Sequence, residues 1–310
     1  MSFQRLISEN TVCYLQQQFP EETPDWLCSF DGEVERIVQK WHLTVSGHEK
    51  SARFGTILYG VSEDFGDVAV KIVPAFSPRL NTEIFCYRQL PYREMCPLYD
   101  VDERLGAMLL RYVSPSSGSN SVSCREAVFR HLYEERKIAS ETVSKTLPRY
   151  ENVLSEVLTH ARAVISASND EKLNAFLPSI ARSEESVFLL DRLERYIIHG
   201  DAHEYNMLMD GENCVLIDPL GYVAPFEIEY ARYLGTAMKF TRMSPEAFAS
   251  LLKRILPEEA DLRAALTAFA IDTTLRGCNT FIEGNTYDEI CFGADWAARA
   301  WAYADALTRA

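Results

Sequence analysis

The hydrophobic pattern of the 310-residue chain changes once, and that change limits what the chain can fold into. Before residue 114 the apolar side chains come in short runs with β-branched residues, at 41–45, 56–61, 68–73, 96–101 and 107–113. Such runs bounded by turn residues predict strands. After residue 121 apolar residues recur every three or four positions, over 125–137, 149–165, 245–255 and 261–275, which predicts helices. Between the two textures lies Ser-Pro-Ser-Ser-Gly-Ser-Asn-Ser at 114–121, a segment that neither a strand nor a helix accommodates. The expectation is an α+β chain of two lobes. Residues 1–113 would form a small antiparallel sheet with at least one helix, and residues 114–310 a mainly helical lobe.

Within the first lobe, the runs 56–61 and 68–73 flank a Gly- and Asp-containing link and predict a β-hairpin. Asp64-Phe65-Gly66 falls in that link and reads as its turn. Asn81 is an N-cap candidate for a helix over 82–90, which Pro91 would end. In the second lobe one island breaks the helical texture, with short apolar pairs at 197–198 and 215–217 beside polar loops.

Charge narrows the partner classes. Asp and Glu total 45 against 31 Lys and Arg, a net charge of −14. A nucleic-acid binder needs clustered cations to neutralise phosphates, so that class is disfavoured. A cationic small molecule suits the balance, although a solvated acidic surface reads the same way. No run reaches the ~20 apolar residues of a membrane span, and the N-terminal segment has no signal-peptide pattern. The eight cysteines are scattered without metal-ligand spacing, as reduced thiols would be. The expectation is a cytoplasmic protein without a membrane or nucleic-acid partner, a monomer or weak dimer.

The chemistry is concentrated in the island: His199-Gly200-Asp201-Ala202-His203-Glu204-Tyr205-Asn206, then Ile217-Asp218. Phosphoryl transfer needs one carboxylate to orient a hydroxyl and accept its proton. It also needs a second carboxylate and a neutral amide oxygen to hold Mg²⁺ against the phosphates. An Asp, an Asn five positions on, and an Asp closing the next apolar run follow that logic.

His199-Gly200-Asp201-x-His203-x-x-Asn206-x-Leu208 followed by Ile217-Asp218-Pro219-x-Gly221 resembles the aminoglycoside phosphotransferase family, most closely its streptomycin 6-kinase and hydroxyurea phosphotransferase branch. Weaker matches extend over most of the chain: Trp26-Leu27 before an amphipathic segment, then 36–43 ending in a Trp-x-Leu strand, Lys71 on a strand, Glu83 on a helix, and 109–113 as an interlobe segment. The resemblance implies a bilobal protein-kinase-like fold with ATP and Mg²⁺ in its cleft. It makes Asp201 the base, and Asn206 and Asp218 the magnesium ligands. It gives Lys71 to the α- and β-phosphates with Glu83 as its ion-pair partner, and backbone groups of Arg111, Tyr112 and Val113 to the adenine. His199 and Glu229 would support the catalytic loop, with Glu229 standing where the family usually has Asp. Pro219-Leu220-Gly221 lacks the Lys that commonly precedes the Gly.

For the acceptor, Glu204 lies beside the base, and Asp272, Glu283, Asp288 and Glu289 follow in a stretch whose Gly277, Asn279, Gly284 and Asn285 favour a loop. Such a loop would gather carboxylates around a cationic acceptor. Streptomycin, another aminocyclitol, hydroxyurea and an unrelated metabolite all satisfy the sequence. Other readings also stand. Lys71 could be an edge lysine that blocks aggregation, and Glu83 a solvated helix residue. Ser46–Ser51 with its single Gly is a weak phosphate loop. His199, Asp201 and His203 form H-x-D-x-H, as in a metal-dependent hydrolase, but that reading leaves Lys71 and Asn206 without a role. A non-catalytic binding module would need none of these side chains.

Overall fold

A computed structural model describes residues 3–49, 52, 54–90, 92–114, 122–168, 170–241, 243–282 and 287–309. It divides into two compact units, one of Met1–Gln89 with Met95–Pro115 and the other of Leu90–Glu94 with Ser116–Ala310.

The first unit begins with helices α1 (Glu9–Gln18) and α2 (Thr23–Lys40), followed by strands β1 (Leu43–His48), β2 (Thr56–Ser62) and β3 (Gly66–Ile72). Helix α3 (Pro78–Gln89) and strands β4 (Leu98–Asp102) and β5 (Ala107–Arg111) complete it. The sheet order is β1-β2-β3-β5-β4, antiparallel throughout. Pairing of Ser62 with Gly66 leaves Glu63-Asp64-Phe65 as the hairpin turn, so the Asp-Phe-Gly tripeptide is turn chemistry. Helix α2 covers the sheet. Trp26, Phe30, Val34 and Ile37 fall on one face, and all are buried against Leu58, Val68, Val70 and Leu109. This corrects the expected layout at two places: residues 36–40 are helical, and α3 starts at Pro78, with Asn81 already inside it.

The second unit contains α4 (Val122–Glu135), β6 (Lys137–Ile138), α5 (Glu141–Thr146), α6 (Tyr150–Ser168) and α7 (Leu177–Asp191). Then come the short strands β7 (Tyr196–Ile198), β8 (Met207–Asp210), β9 (Asn213–Leu216) and β10 (Tyr222–Ala224), and helices α8 (Glu227–Thr241), α9 (Pro245–Ile255), α10 (Leu262–Ile282) and α11 (Tyr287–Thr308). Strands β10, β7 and β6 form one antiparallel ribbon, and β8 and β9 a separate hairpin. Helix α10 is buried on every side from Ala264 to Leu275, polar Thr267, Asp272, Thr273 and Thr274 included.

The loop expected over 272–289 is not found in its first part, where α10 runs unbroken through Ile282. Gly277 serves packing there. A Cβ on it would meet the Gly293 carbonyl of α11 at 3.0 Å, so a missing side chain lets two helix backbones approach. Of the other residues behind that expectation, Gly284 and Asn285 lie outside the described residues, as do Lys50 and Ser51 of the weak phosphate loop and residues 115–121 of the Ser-, Pro- and Gly-containing break. No described helix is long and apolar enough to cross a membrane.

Candidate active site

The chain leaves β7 at Ile198 and enters a loop organised by His199, which is fully buried. The His199 Nε2–H donates to the Ile217 carbonyl at 3.0 Å, and Nδ1 accepts the Asp201 N–H at 3.2 Å. Both ring nitrogens are therefore spent on a neutral imidazole, and burial pushes its pKa down to about 4. The His199 carbonyl accepts the Leu220 and Gly221 N–H groups, which pins the segment after Asp218 to the loop. Gly200 has φ +75, and a Cβ there would come within 2.5 Å of the Tyr222 ring, so only glycine fits. Its N–H donates to Glu229 Oε2 at 3.2 Å from the first turn of α8. Glu229 is fully buried, its Oε1 has no partner among the described residues, and burial pushes its pKa up to about 7.

Asp201 and Asn206 meet directly. Asn206 Nδ2 donates to Asp201 Oδ2 and to the Asp201 carbonyl, both at 3.0 Å. Two tight turns make this contact possible, His203 N–H to the Asp201 carbonyl and Asn206 N–H to the His203 carbonyl. The Ile217 N–H then donates to the Asn206 carbonyl, so the end of β9 is tied to the same loop just before Asp218. Asp218 sits at φ +57, the left-handed region that Asp tolerates better than most residues. With its nitrogen committed to Asp201, the Asn206 amide offers its oxygen. An amide oxygen and a carboxylate are hard donors of the kind Mg²⁺ accepts beside phosphates and waters, so Asn206 and Asp218 have the chemistry to hold one.

The second oxygen of Asp201 goes to a residue that the sequence did not single out. Arg232 of α8 places one terminal nitrogen 2.9 Å from Asp201 Oδ1 and the other 3.1 Å from Asp272 Oδ1. Burial alone would raise the Asp201 pKa; Arg232, then His203, outweigh it and hold the carboxyl well below its ordinary range. Glu229 and Arg232 are three residues apart, on one helix face, which is the sequence signal that both are directed to the same loop.

Asp272 is corrected by this geometry. It lies inside α10, is fully buried, and accepts from Arg232 and, at 3.0 Å, from the Tyr150 hydroxyl. An acid in the middle of an apolar helix must be paired, and its charge is not open to an acceptor. Glu204 is partly exposed and ion-paired with Arg125 at 3.5 Å. Asp288 and Glu289 are on the first turn of α11, and Glu283 lies outside the described residues.

In the first unit, Lys71 on β3 and Glu83 on α3 form a buried pair at 2.7 Å, which replaces both the edge-lysine and the solvated-glutamate readings. Of the backbone between Arg111 and Val113, the Arg111 N–H and carbonyl and the Tyr112 N–H are bonded within the unit.

The H-x-D-x-H cluster does not assemble. His199 has no free nitrogen, and among the described residues no group of three His, Cys, Asp or Glu is placed to hold a metal ion.

The two perturbed groups beneath the loop should oppose each other in stability. A carboxyl raised to about 7 stabilises the fold fully below about 4.5, and this is lost as pH rises through about 7. A histidine lowered to about 4 acts in reverse, costing stability as pH falls from about 6.5 to about 4. Glu229→Gln removes the first effect only. Relative to the variant, the native chain should gain roughly 3 kcal/mol between pH 7 and pH 4.5. Urea unfolding across that range tests this, and a constant difference between the two proteins would show that Glu229 is ionised throughout.

No protein-family model matches the chain, and no curated protein matches it. Solved structures do. A choline/ethanolamine kinase family protein from Mesorhizobium loti is 14% identical, with 87% of this chain and 94% of that one covered at a TM-score of 0.62. Choline kinase LicA from Streptococcus pneumoniae is 12% identical, with 89% and 99% covered at 0.59. The streptomycin–ATP–APH(2″)-IIa ternary complex is 12% identical, with 86% and 95% covered at 0.59. The fold is therefore the bilobal kinase-like fold that these structures share.

Proposed function

We propose that the chain is a small-molecule kinase that transfers the γ-phosphoryl group of ATP to an acceptor hydroxyl. The observation that carries this reading is the loop system in which Asp201 and Asn206 touch and the Ile217 N–H, one residue before Asp218, is bonded to the Asn206 carbonyl. The kinase-like fold supports it, as does the buried Lys71–Glu83 pair.

Asp201 orients the acceptor hydroxyl and takes its proton as the oxygen–phosphorus bond forms and the bond to the ADP oxygen breaks. Asn206 and Asp218 would hold Mg²⁺, which when bound neutralises charge on the phosphates. Lys71, paired with Glu83, is assigned to the α- and β-phosphates, and backbone groups of Arg111, Tyr112 and Val113 to the adenine. The acceptor proposed is a streptomycin-like aminoglycoside or hydroxyurea, with a different small metabolite as the alternative. For a cationic acceptor, Glu204, Glu283, Asp288 and Glu289 are the acids to consider.

ADP release in the presence of Mg²⁺, measured over a panel of aminoglycosides, hydroxyurea and simple alcohols, tests the reading. Phosphorylated product should be found by mass spectrometry and should disappear with EDTA. For a cationic acceptor, KM should rise with ionic strength, whereas neutral hydroxyurea should show almost no salt effect. Absence of ATP turnover with every acceptor would reject the kinase.

A further inference from the structure

The contacts that fix Asp201 extend out of its loop into the helices of the second unit. Arg232 is almost fully buried, with its side chain 7% exposed, and it does not form a two-pronged pair with either acid. It gives one terminal nitrogen to Asp201 Oδ1 and the other to Asp272 Oδ1. Asp272 in turn is held by the Tyr150 hydroxyl of α6, and the Tyr150 ring meets Tyr222 edge-on at 5.7 Å, the ring that caps Gly200. Three helices and the loop are thus joined by one chain of side chains.

We infer that Arg232 is a positioning residue for Asp201: it anchors Oδ1 from a buried post made of Asp272 and Tyr150, and leaves Oδ2 as the oxygen that meets the acceptor hydroxyl. The inference rests on the kinase reading of the site.

Three features of the geometry support it. An arginine that served only packing would satisfy itself best with both nitrogens on one carboxylate. Splitting the fork between two acids fixes the distance from α10 to the loop. The planar guanidinium can do this, and a lysine, with a single charged centre, cannot reproduce both contacts. The opposite side of Asp201 is softer. Oδ2 has the Asn206 amide at 3.0 Å and His203 Nε2 only at 3.5 Å, and both belong to the same loop as Asp201. Anchoring one oxygen from a rigid core while the other faces the loop is what holds a carboxylate in reactive alignment.

The experiment uses the full chain with Arg232→Met, Arg232→Lys and Asp272→Asn. Arg232→Met should lower kcat about 100-fold, the cost of a misplaced reacting group, with KM for ATP changed less than about twofold. Arg232→Lys should recover about tenfold of that loss, because one contact is restored, and Asp272→Asn should fall between the two. Hydrogen exchange supplies a readout independent of turnover. The peptide containing residues 199–206 should exchange faster in Arg232→Lys, while α10 keeps its protection. If Arg232→Met does not fold, the lysine and asparagine variants carry the test. Wild-type kcat in Arg232→Lys and Asp272→Asn, or loop exchange unchanged in folded Arg232→Lys, would overturn the tether. A native protein that transfers no phosphate would instead remove the kinase reading, and the exchange result would still decide whether Arg232 holds the loop.

Discussion

Asp201→Asn should bind MgATP like the native protein and transfer phosphate roughly 10²–10⁴-fold more slowly, the usual share of a general base. The substitution keeps the shape of the side chain and removes its charge. The amide oxygen can still accept from Arg232. The amide nitrogen would then face Asn206 Nδ2, which now donates to the carboxylate at 3.0 Å, so two donors oppose each other. Arg232 also loses half of its charge compensation, while Asp272 remains. The expected cost in stability is about 1–3 kcal/mol, the size of one spoiled buried hydrogen bond, which is too small to explain the loss of rate by unfolding. Nucleotide affinity by calorimetry, a urea midpoint and a coupled ADP assay separate these effects. Turnover near the native level in a folded variant would exclude Asp201 as the base.

The parts of the site that were legible in the sequence are those whose spacing is local. Asp201 and Asn206 are five residues apart and are joined by turns that their own backbone closes, so a motif suffices to place them together. Lys71 could be read because it interrupts an apolar strand, and its partner lies on the next helix. Glu229 was legible only through resemblance, and the structure adds that its longer side chain still reaches the Gly200 N–H. What stayed hidden depends on contacts between distant segments. Nothing near Asp272 distinguishes an acid buried by Arg232 from one exposed at a binding site; the difference lies forty residues upstream. Gly277 and Asn279 carry the composition of a loop, but a glycine at a helix crossing has the same composition as a glycine in a turn. Helix α2 is legible only as an amphipathic segment after Trp26-Leu27, because what extends it to Lys40 is the burial of Trp26, Phe30, Val34 and Ile37 against a sheet whose strands follow in the chain.

Asp218→Ala should abolish phosphoryl transfer, with a loss on the order of 10³-fold or more, and added Mg²⁺ should restore little of it. In the proposed site Asn206 and Asp218 would be the two oxygen donors for the metal, and Asp218 would supply the only charge of the pair; a neutral amide alone is a poor ligand for a hard dication. Alanine changes a second property as well. Position 218 lies at φ +57, where Ala is worse accommodated than Asp or Asn, so some stability is lost for backbone reasons alone. Asp218→Asn separates the two effects, because Asn tolerates that conformation and keeps an oxygen while losing the charge. If charge on the metal is what matters, both variants should be inactive, and only the alanine variant should also melt earlier. A metal titration at fixed ATP should show half-saturation moved to higher Mg²⁺ in Asp218→Asn. Full activity in Asp218→Asn with an unshifted Mg²⁺ dependence would remove Asp218 from the metal site and reduce its role to shaping the turn that Leu220 and Gly221 fasten to His199.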